Sequence, residues 1–120
     1  MSRKIAAEKL SSLEPKRICL IKPSALGDVV QTLPLLPVLK ECYPDATISW
    51  VINKNFADLL TGHPLIDELL IFDRRGSWSS WWELLKSLRA RKFDLVFDLQ
   101  GLFRTGVMTA ATRAPIRVGL

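Results

Sequence analysis

Five short apolar runs, spaced by segments of helical periodicity, constrain this fold more than any other feature of the chain. They are RICLI at residues 17–21, TISWVI at 47–52, ELLIF at 68–72, FDLVFDL at 93–99 and IRVGL at 116–120. Apolar residues follow one another in these runs instead of alternating with polar ones. That is the pattern of strands buried on both faces. Helical segments are predicted between them at 27–43, 55–60, 77–92 and 102–113. Such alternation predicts an α/β fold, a Rossmann-like parallel sheet with helices on both faces. Right-handed crossovers give the strand order 3-2-1-4-5. With 120 residues, 48% of them hydrophobic, the chain can bury a core as a single domain. Its last run is an apolar strand, as in a fragment of a longer fold.

Two helices carry detail. In 27–43, Pro34 and Pro37 require either a bend or a second helix starting near Pro34. In 77–92, Ser80 and Glu83 have capping-box spacing, and Trp81, Leu84, Leu85 and Leu88 form a stripe for burial. Residues 1–16 read as a polar, frayed extension without the apolar stretch of a secretory signal. No run approaches the roughly 20 apolar residues of a membrane span. These features predict a cytoplasmic protein. Cys19 and Cys42 have no CxxC spacing and are expected to be buried free thiols.

Seventeen basic residues against twelve acidic leave a net charge of +5, which suits an anionic partner. No zinc-finger or RNA-binding signature points to nucleic acid. Trp82, Lys86 and Arg89 share a helix face, with Arg74 and Arg75 upstream. That face fits either a solvated basic helix or contact with an anionic membrane surface.

Ligands of such folds bind beyond the C-terminal ends of the strands. Two of the loops selected by that rule are informative. KPSALGD, residues 22–28, is neither a dinucleotide fingerprint nor a P-loop. Ser24 and nearby amides could hold an anion at a helix start, but Asp28 occupies the same place. Asp28 is either a helix cap favoured by the dipole or a general base at the mouth of a crevice. DLVFDLQGLFRTG, residues 94–106, brings Asp98, Gln100, Gly101 and Arg104 to the opening of the fourth strand. They fit an ordinary strand end and helix cap. They also fit a binding site: Gln100 for hydroxyls, Gly101 for close approach of a ligand, Arg104 for an anion. With the order 3-2-1-4-5, Asp28 and Gln100 would face each other across the crevice. His63 precedes Pro64 in a turn and reads as structural. No His, Asp or Glu set has metal-ligand spacing, so no metal is expected.

These stretches, with "IKPSALGDVVQTLPLLPVLKECYPDATISWVI" and "HPLIDELLIFDRRG", resemble the N-terminal half of the heptosyltransferases, glycosyltransferase family nine. The resemblance runs over about residues 17–120. It implies a two-domain GT-B glycosyltransferase with the active site between two Rossmann-like domains. Residues 17–120 would be the acceptor-binding domain, and the donor-binding domain would be missing from this chain. The family's catalytic base falls on Asp28, with Ser24, Gly27, Gln100, Gly101 and Arg104 as substrate-binding residues. Gly27 would serve a tight turn and Pro34 a kinked first helix. No cofactor is implied. The donor is the nucleotide sugar ADP-heptose, and the acceptor a lipid-linked acidic saccharide of the lipopolysaccharide inner core. Work on such an acceptor would place the protein on the cytoplasmic face of the inner membrane. Two other classes compete: a non-catalytic anion- or nucleotide-binding module, and a truncated remnant that docks on a partner.

Overall fold

The computed structural model describes residues 15–24, 26–73 and 76–119. Most of the expected extension at 1–16 lies outside the described residues, as do Arg74, Arg75 and Leu120.

Strands β1 (Arg17–Ile21), β2 (Thr47–Asn53), β3 (Glu68–Phe72), β4 (Leu95–Asp98) and β5 (Ile116–Gly119) form one sheet in the order β3-β2-β1-β4-β5. All four pairings are parallel, which agrees with the predicted order. The helices are α1 (Leu26–Thr32), α2 (Leu35–Cys42), α3 (Ala57–Leu60), α4 (Trp78–Ala90) and α5 (Phe103–Thr112). A 3₁₀ turn at Lys54–Phe56 leads into α3.

Burial explains the continuous apolar runs. On β1, Ile18 and Leu20 point into one cluster with Val29, Leu36, Leu39 and Leu60. Cys19 and Ile21 point into a second cluster with Leu84, Leu88 and Met108. Alternate residues of one strand therefore serve opposite cores, and a polar residue on either face would be buried. Burial pushes the Cys19 thiol well above its ordinary range. Cys42 departs from expectation: it ends α2 on the solvent side and is exposed.

Two further expectations are corrected. The kinked helix at 27–43 is two helices. Pro34 has no N–H to continue α1, and Leu33 N–H reaches back only to the Val30 carbonyl, at 3.2 Å. α2 starts at Leu35, so Pro37 falls in its first turn, where a missing N–H removes no helical bond. The α4 cap is Ser77, with extended backbone, whose Oγ accepts from Ser80 N–H at 3.3 Å. Ser80 lies inside the helix, so the Ser80–Glu83 capping box is not formed. The stripe itself is seen: Leu84 and Leu88 are buried, with Trp81 and Leu85 packed beside them.

Two aspartates set the strand register at the far edge of the sheet. Asp94 donates its N–H to the Arg17 carbonyl, while its Oδ2 accepts from Arg17 N–H at 2.9 Å and Lys16 N–H at 2.8 Å. Asp67 repeats the exchange with Ile48, whose N–H reaches Asp67 Oδ2 at 2.7 Å. Each carboxylate supplies the acceptor that a strand start otherwise lacks. With the strand starts fixed, their opposite ends are level. Ile21 lies beside both Val51 and Asp98, and Asp98 beside Gly119.

Candidate active site

At those level ends the β1 loop is tied to both neighbours. Asn53 N–H donates to the Pro23 carbonyl at 3.0 Å, and Leu99 N–H to the Ile21 carbonyl at 3.1 Å. The fully buried Trp50 donates its indole N–H to the Lys22 carbonyl at 3.0 Å. Lys22 thereby begins from a fixed backbone. Its side chain is only 10% exposed, and its Nζ donates to the Leu99 carbonyl at 3.2 Å. The same ammonium stands 3.8 Å from Asp28 Oδ2. One lysine thus joins the β1 loop, the β4 loop and the carboxylate of α1.

Asp28 occupies the first turn of α1, where the helix dipole favours an anion. Its side chain is 60% exposed, so the carboxylate meets solvent on one side and Lys22 on the other. Gly27 is exposed in the same turn without a left-handed backbone, and a Cβ there would touch nothing within 4 Å. The tight-turn role assigned to it is therefore corrected: Gly27 leaves open space beside Asp28.

The β4 loop is arranged differently from Asp28. Asp98, buried, accepts from the N–H groups of Gln100 and Gly101, each at 3.1 Å. This Asx-type turn carries Gly101 at φ 72°, the left-handed region where glycine is favoured. Gln100 Nε2 donates to Ser24 Oγ at 3.3 Å. Gln100 Oε1 is buried and has no hydrogen-bond partner among the described residues, a state that buried polar atoms seldom keep. Thr105 closes the start of α5 by accepting from Leu102 N–H at 3.0 Å and donating to the Leu102 carbonyl at 2.9 Å.

Arg104, in the first turn of α5, is exposed and lies over the Phe72 ring at 5.9 Å from its centroid. Ser24 and Arg104 share a cavity of about 80 Å³. The structure thus joins Ser24 to Gln100 and Arg104, and joins Asp28 to Lys22. Lys22 contacts both the carboxylate of Asp28 on α1 and the carbonyl of Leu99, the residue before Gln100. Lys22 and Phe72 were missed in the sequence. A lysine directly after a doubly buried strand, six residues before an aspartate, was the available signal for Lys22. Among the described residues no three His, Cys, Asp or Glu side chains converge as a metal site would require.

No family model matches the chain. Curated proteins do. The lipopolysaccharide core heptosyltransferase OpsX of Haemophilus influenzae is 30% identical over 105 residues, spanning 88% of this chain and 30% of its own length. Lipopolysaccharide heptosyltransferase 1 of Pseudomonas aeruginosa is 31% identical over 102 residues, 78% of this chain and 29% of the relative. Among solved structures, a glycosyl transferase family 9 protein from Veillonella parvula superposes with a TM-score of 0.80 at 34% identity, over 88% of this chain and 32% of that one. This chain is related to the family 9 heptosyltransferases. E. coli heptosyltransferase WaaC, solved with ADP, matches 87% of this chain and 34% of its own at 26% identity and a TM-score of 0.73. The chain therefore spans about a third of the length of its heptosyltransferase relatives.

Proposed function

We propose that this chain forms the acceptor-side domain of an inverting glycosyltransferase that moves heptose from ADP-heptose to the lipopolysaccharide inner core. The observation that carries the proposal is the Lys22–Asp28 pair at the opening end of the sheet, in a chain related to heptosyltransferases. The acceptor hydroxyl lies against Asp28, which takes its proton as the oxygen attacks the anomeric carbon. A glycosidic C–O bond forms on one face, and the bond to the diphosphate breaks on the other. ADP leaves, and the configuration inverts. Positive charge develops on the sugar as that bond opens, and the carboxylate stabilises it. Lys22 holds Asp28 in place. Ser24 and Gln100 bind acceptor hydroxyls, Arg104 binds an acidic group, and Gly27 and Gly101 leave room beside them. The nucleotide sugar binds mainly on a second, donor-side domain, and no metal or other cofactor takes part. The protein works in the cytoplasm, against the inner membrane face that presents its lipid-linked acceptor. Among the described residues no helix is long and apolar enough to cross a membrane.

Asp28→Asn in the protein carrying both domains tests this. ADP release with a heptose-free lipopolysaccharide acceptor should fall by about 10²–10⁴, the usual cost of losing a general base. Its melting temperature should hardly move, because an exposed ion pair contributes little and asparagine tolerates the same helix start. Near-normal turnover would return Asp28 to the role of a helix-start carboxylate.

A further inference from the structure

On the helix layer that covers the second core cluster, α4 and α5 enclose a groove of about 400 Å³. Trp82, Leu85 and Val107 give it apolar walls, and Lys86, Arg89 and Arg113 give it three cations. Trp82, Lys86 and Arg89 are spaced four and three residues apart, so they share one face of α4. Trp82 does not serve the core. It is 58% exposed, whereas Trp81 beside it packs against the second cluster. The three cations are exposed, and none forms an ion pair with a described residue. No described residue lining the groove is acidic. Glu83, the only acidic residue of α4, lines a different groove, against β3, and α5 has no acidic residue. One sign of charge therefore surrounds an indole that stands in water. Both helices start at the end of the sheet that carries Asp28 and run back along it. The groove thus extends from Trp82, nearer the site, to Arg89 and Arg113 at the helix ends.

We propose that this groove docks the protein on an anionic membrane surface, with Trp82 seated among the headgroups and Lys86, Arg89 and Arg113 held against lipid phosphates. An indole favours the water–bilayer interface because its ring is apolar and its N–H stays hydrated. Cations on the same face are drawn by the negative surface potential. A lipid surface suits the groove better than one small anion does. The cations are spread over two helices around apolar walls, and they are the only polar side chains lining it. Docked this way, α4 and α5 lie along the headgroups. The strand ends that carry Asp28 then open sideways over the surface, where a lipid-linked acceptor reaches them without leaving the membrane. The docking surface shares no residue with the candidate active site, so it does not depend on the transfer reaction.

Vesicles of phosphatidylcholine alone, and of phosphatidylcholine mixed with phosphatidylglycerol, test it on the protein carrying both domains. At low salt the mixed vesicles should bind the protein and the neutral ones should not. A cation beside an anionic bilayer strengthens binding about fivefold. Lys86→Gln, Arg89→Gln and Arg113→Gln should therefore each weaken partitioning about fivefold, and the triple variant about a hundredfold. Lys54→Gln, which removes an exposed cation outside the groove, should change it less than about twofold. Lipids with brominated acyl chains should quench tryptophan fluorescence, and Trp82→Phe should remove most of that quenching. The triple variant should turn over a soluble, deacylated acceptor normally, and its KM for acceptor embedded in vesicles should rise. Wild-type partitioning in the triple variant, or quenching that survives Trp82→Phe, would overturn the proposal. So would duplex DNA that binds through the same three cations while the mixed vesicles stay unbound. Release from vesicles by inorganic phosphate, beyond that by chloride at equal ionic strength, would replace the lipid surface with a discrete phosphate site. If the soluble acceptor is turned over and mixed vesicles do not bind, docking fails and glycosyl transfer stands. If nothing is transferred but vesicle binding still needs the three cations, the failure lies with the transfer reaction.

Discussion

Trp50→Phe tests whether the core holds the site in place. The indole is fully buried, and its N–H donates to the carbonyl of Lys22, the residue that orients Asp28. Phenylalanine keeps an aromatic ring but removes roughly 40 Å³, which at about 24 cal/mol per Å³ of cavity costs ~1 kcal/mol. It also strands a buried carbonyl, which costs about 1–3 kcal/mol. The sum is about 2–4 kcal/mol, a large part of the stability of a domain this size. In urea, with a slope of roughly 2 kcal/mol per M, the midpoint should fall by about 1–2 M. Trp82→Phe is the control: Trp82 is 58% exposed, and its replacement should stay within about 0.5 kcal/mol. Turnover of Trp50→Phe, measured well below its melting temperature, should also drop, by up to about 10²-fold if the Lys22 loop shifts by an ångström. A loss of stability under about 1 kcal/mol would show that the hydrogen bond to Lys22 contributes nothing net. Intact turnover beside a large loss of stability would detach the core from the site.

Two further outcomes follow from charged groups elsewhere on the chain. The bidentate hydrogen bonds from Arg91, with burial opposing, hold the Glu68 carboxyl below its ordinary range. The stability from that pair is therefore fully present above about pH 4.3, the ordinary glutamate value, and is lost as pH falls through the lowered folded value. Both side chains are partly exposed, so the contribution should stay below about 1 kcal/mol and shrink in salt. Arg91→Met should flatten this acid limb in urea titrations from pH 7 to pH 3, and an unchanged limb would refute the assignment. A groove between α4 and α5 gathers Trp82, Lys86, Arg89 and Arg113. Anionic vesicles should co-sediment the protein at low salt and release it at high salt. Lys86→Glu with Arg89→Glu should abolish the binding, and no binding at low salt would exclude this face as a membrane contact.

The sheet was legible because a strand buried on both faces carries its signature in consecutive residues. RICLI needed no partner to be recognised, and once five such runs were found the handedness of crossovers left one natural order. Boundaries decided by single hydrogen bonds were less legible. Ser77 and Ser80 both qualify as caps by type. The choice falls on Ser77, whose backbone is extended while Ser80 already lies in the helix. Pro34 permitted both a bend and a break, and the break was settled by Leu33 turning to Val30 instead of continuing α1. The contact of Arg104 with Phe72 was hidden for another reason: the two residues belong to different elements, α5 and β3, and share no local pattern. Lys22 was hidden because burial of a lysine depends on distant acceptors, here the Leu99 carbonyl and the Asp28 carboxylate.

The aspartates of this fold supply the strongest reason to place chemistry on Asp28. Asp94 and Asp67 precede strand starts at the far edge of the sheet, and Asp98 ends β4 on the same side as Asp28. Each is already committed: Asp94 to the amides of Lys16 and Arg17, Asp67 to Ile48, and Asp98 to Gln100 and Gly101. A carboxylate whose oxygens already accept amide hydrogen bonds has fewer lone pairs left to meet a substrate hydroxyl. Asp28 differs, with an ammonium at 3.8 Å and an otherwise open side. Substitution should therefore separate the two kinds of aspartate. Asp94→Ala removes two charge-assisted hydrogen bonds and should cost about 2–4 kcal/mol in urea unfolding. At temperatures where it is folded, its turnover should stay near normal, because the clamp lies at the opposite end of β1 from Lys22. Asp28→Asn should show the reverse: stability retained, turnover lost. If Asp94→Ala lost turnover as completely as Asp28→Asn while remaining folded, strand register would control the rate, and proton transfer at Asp28 would no longer explain it.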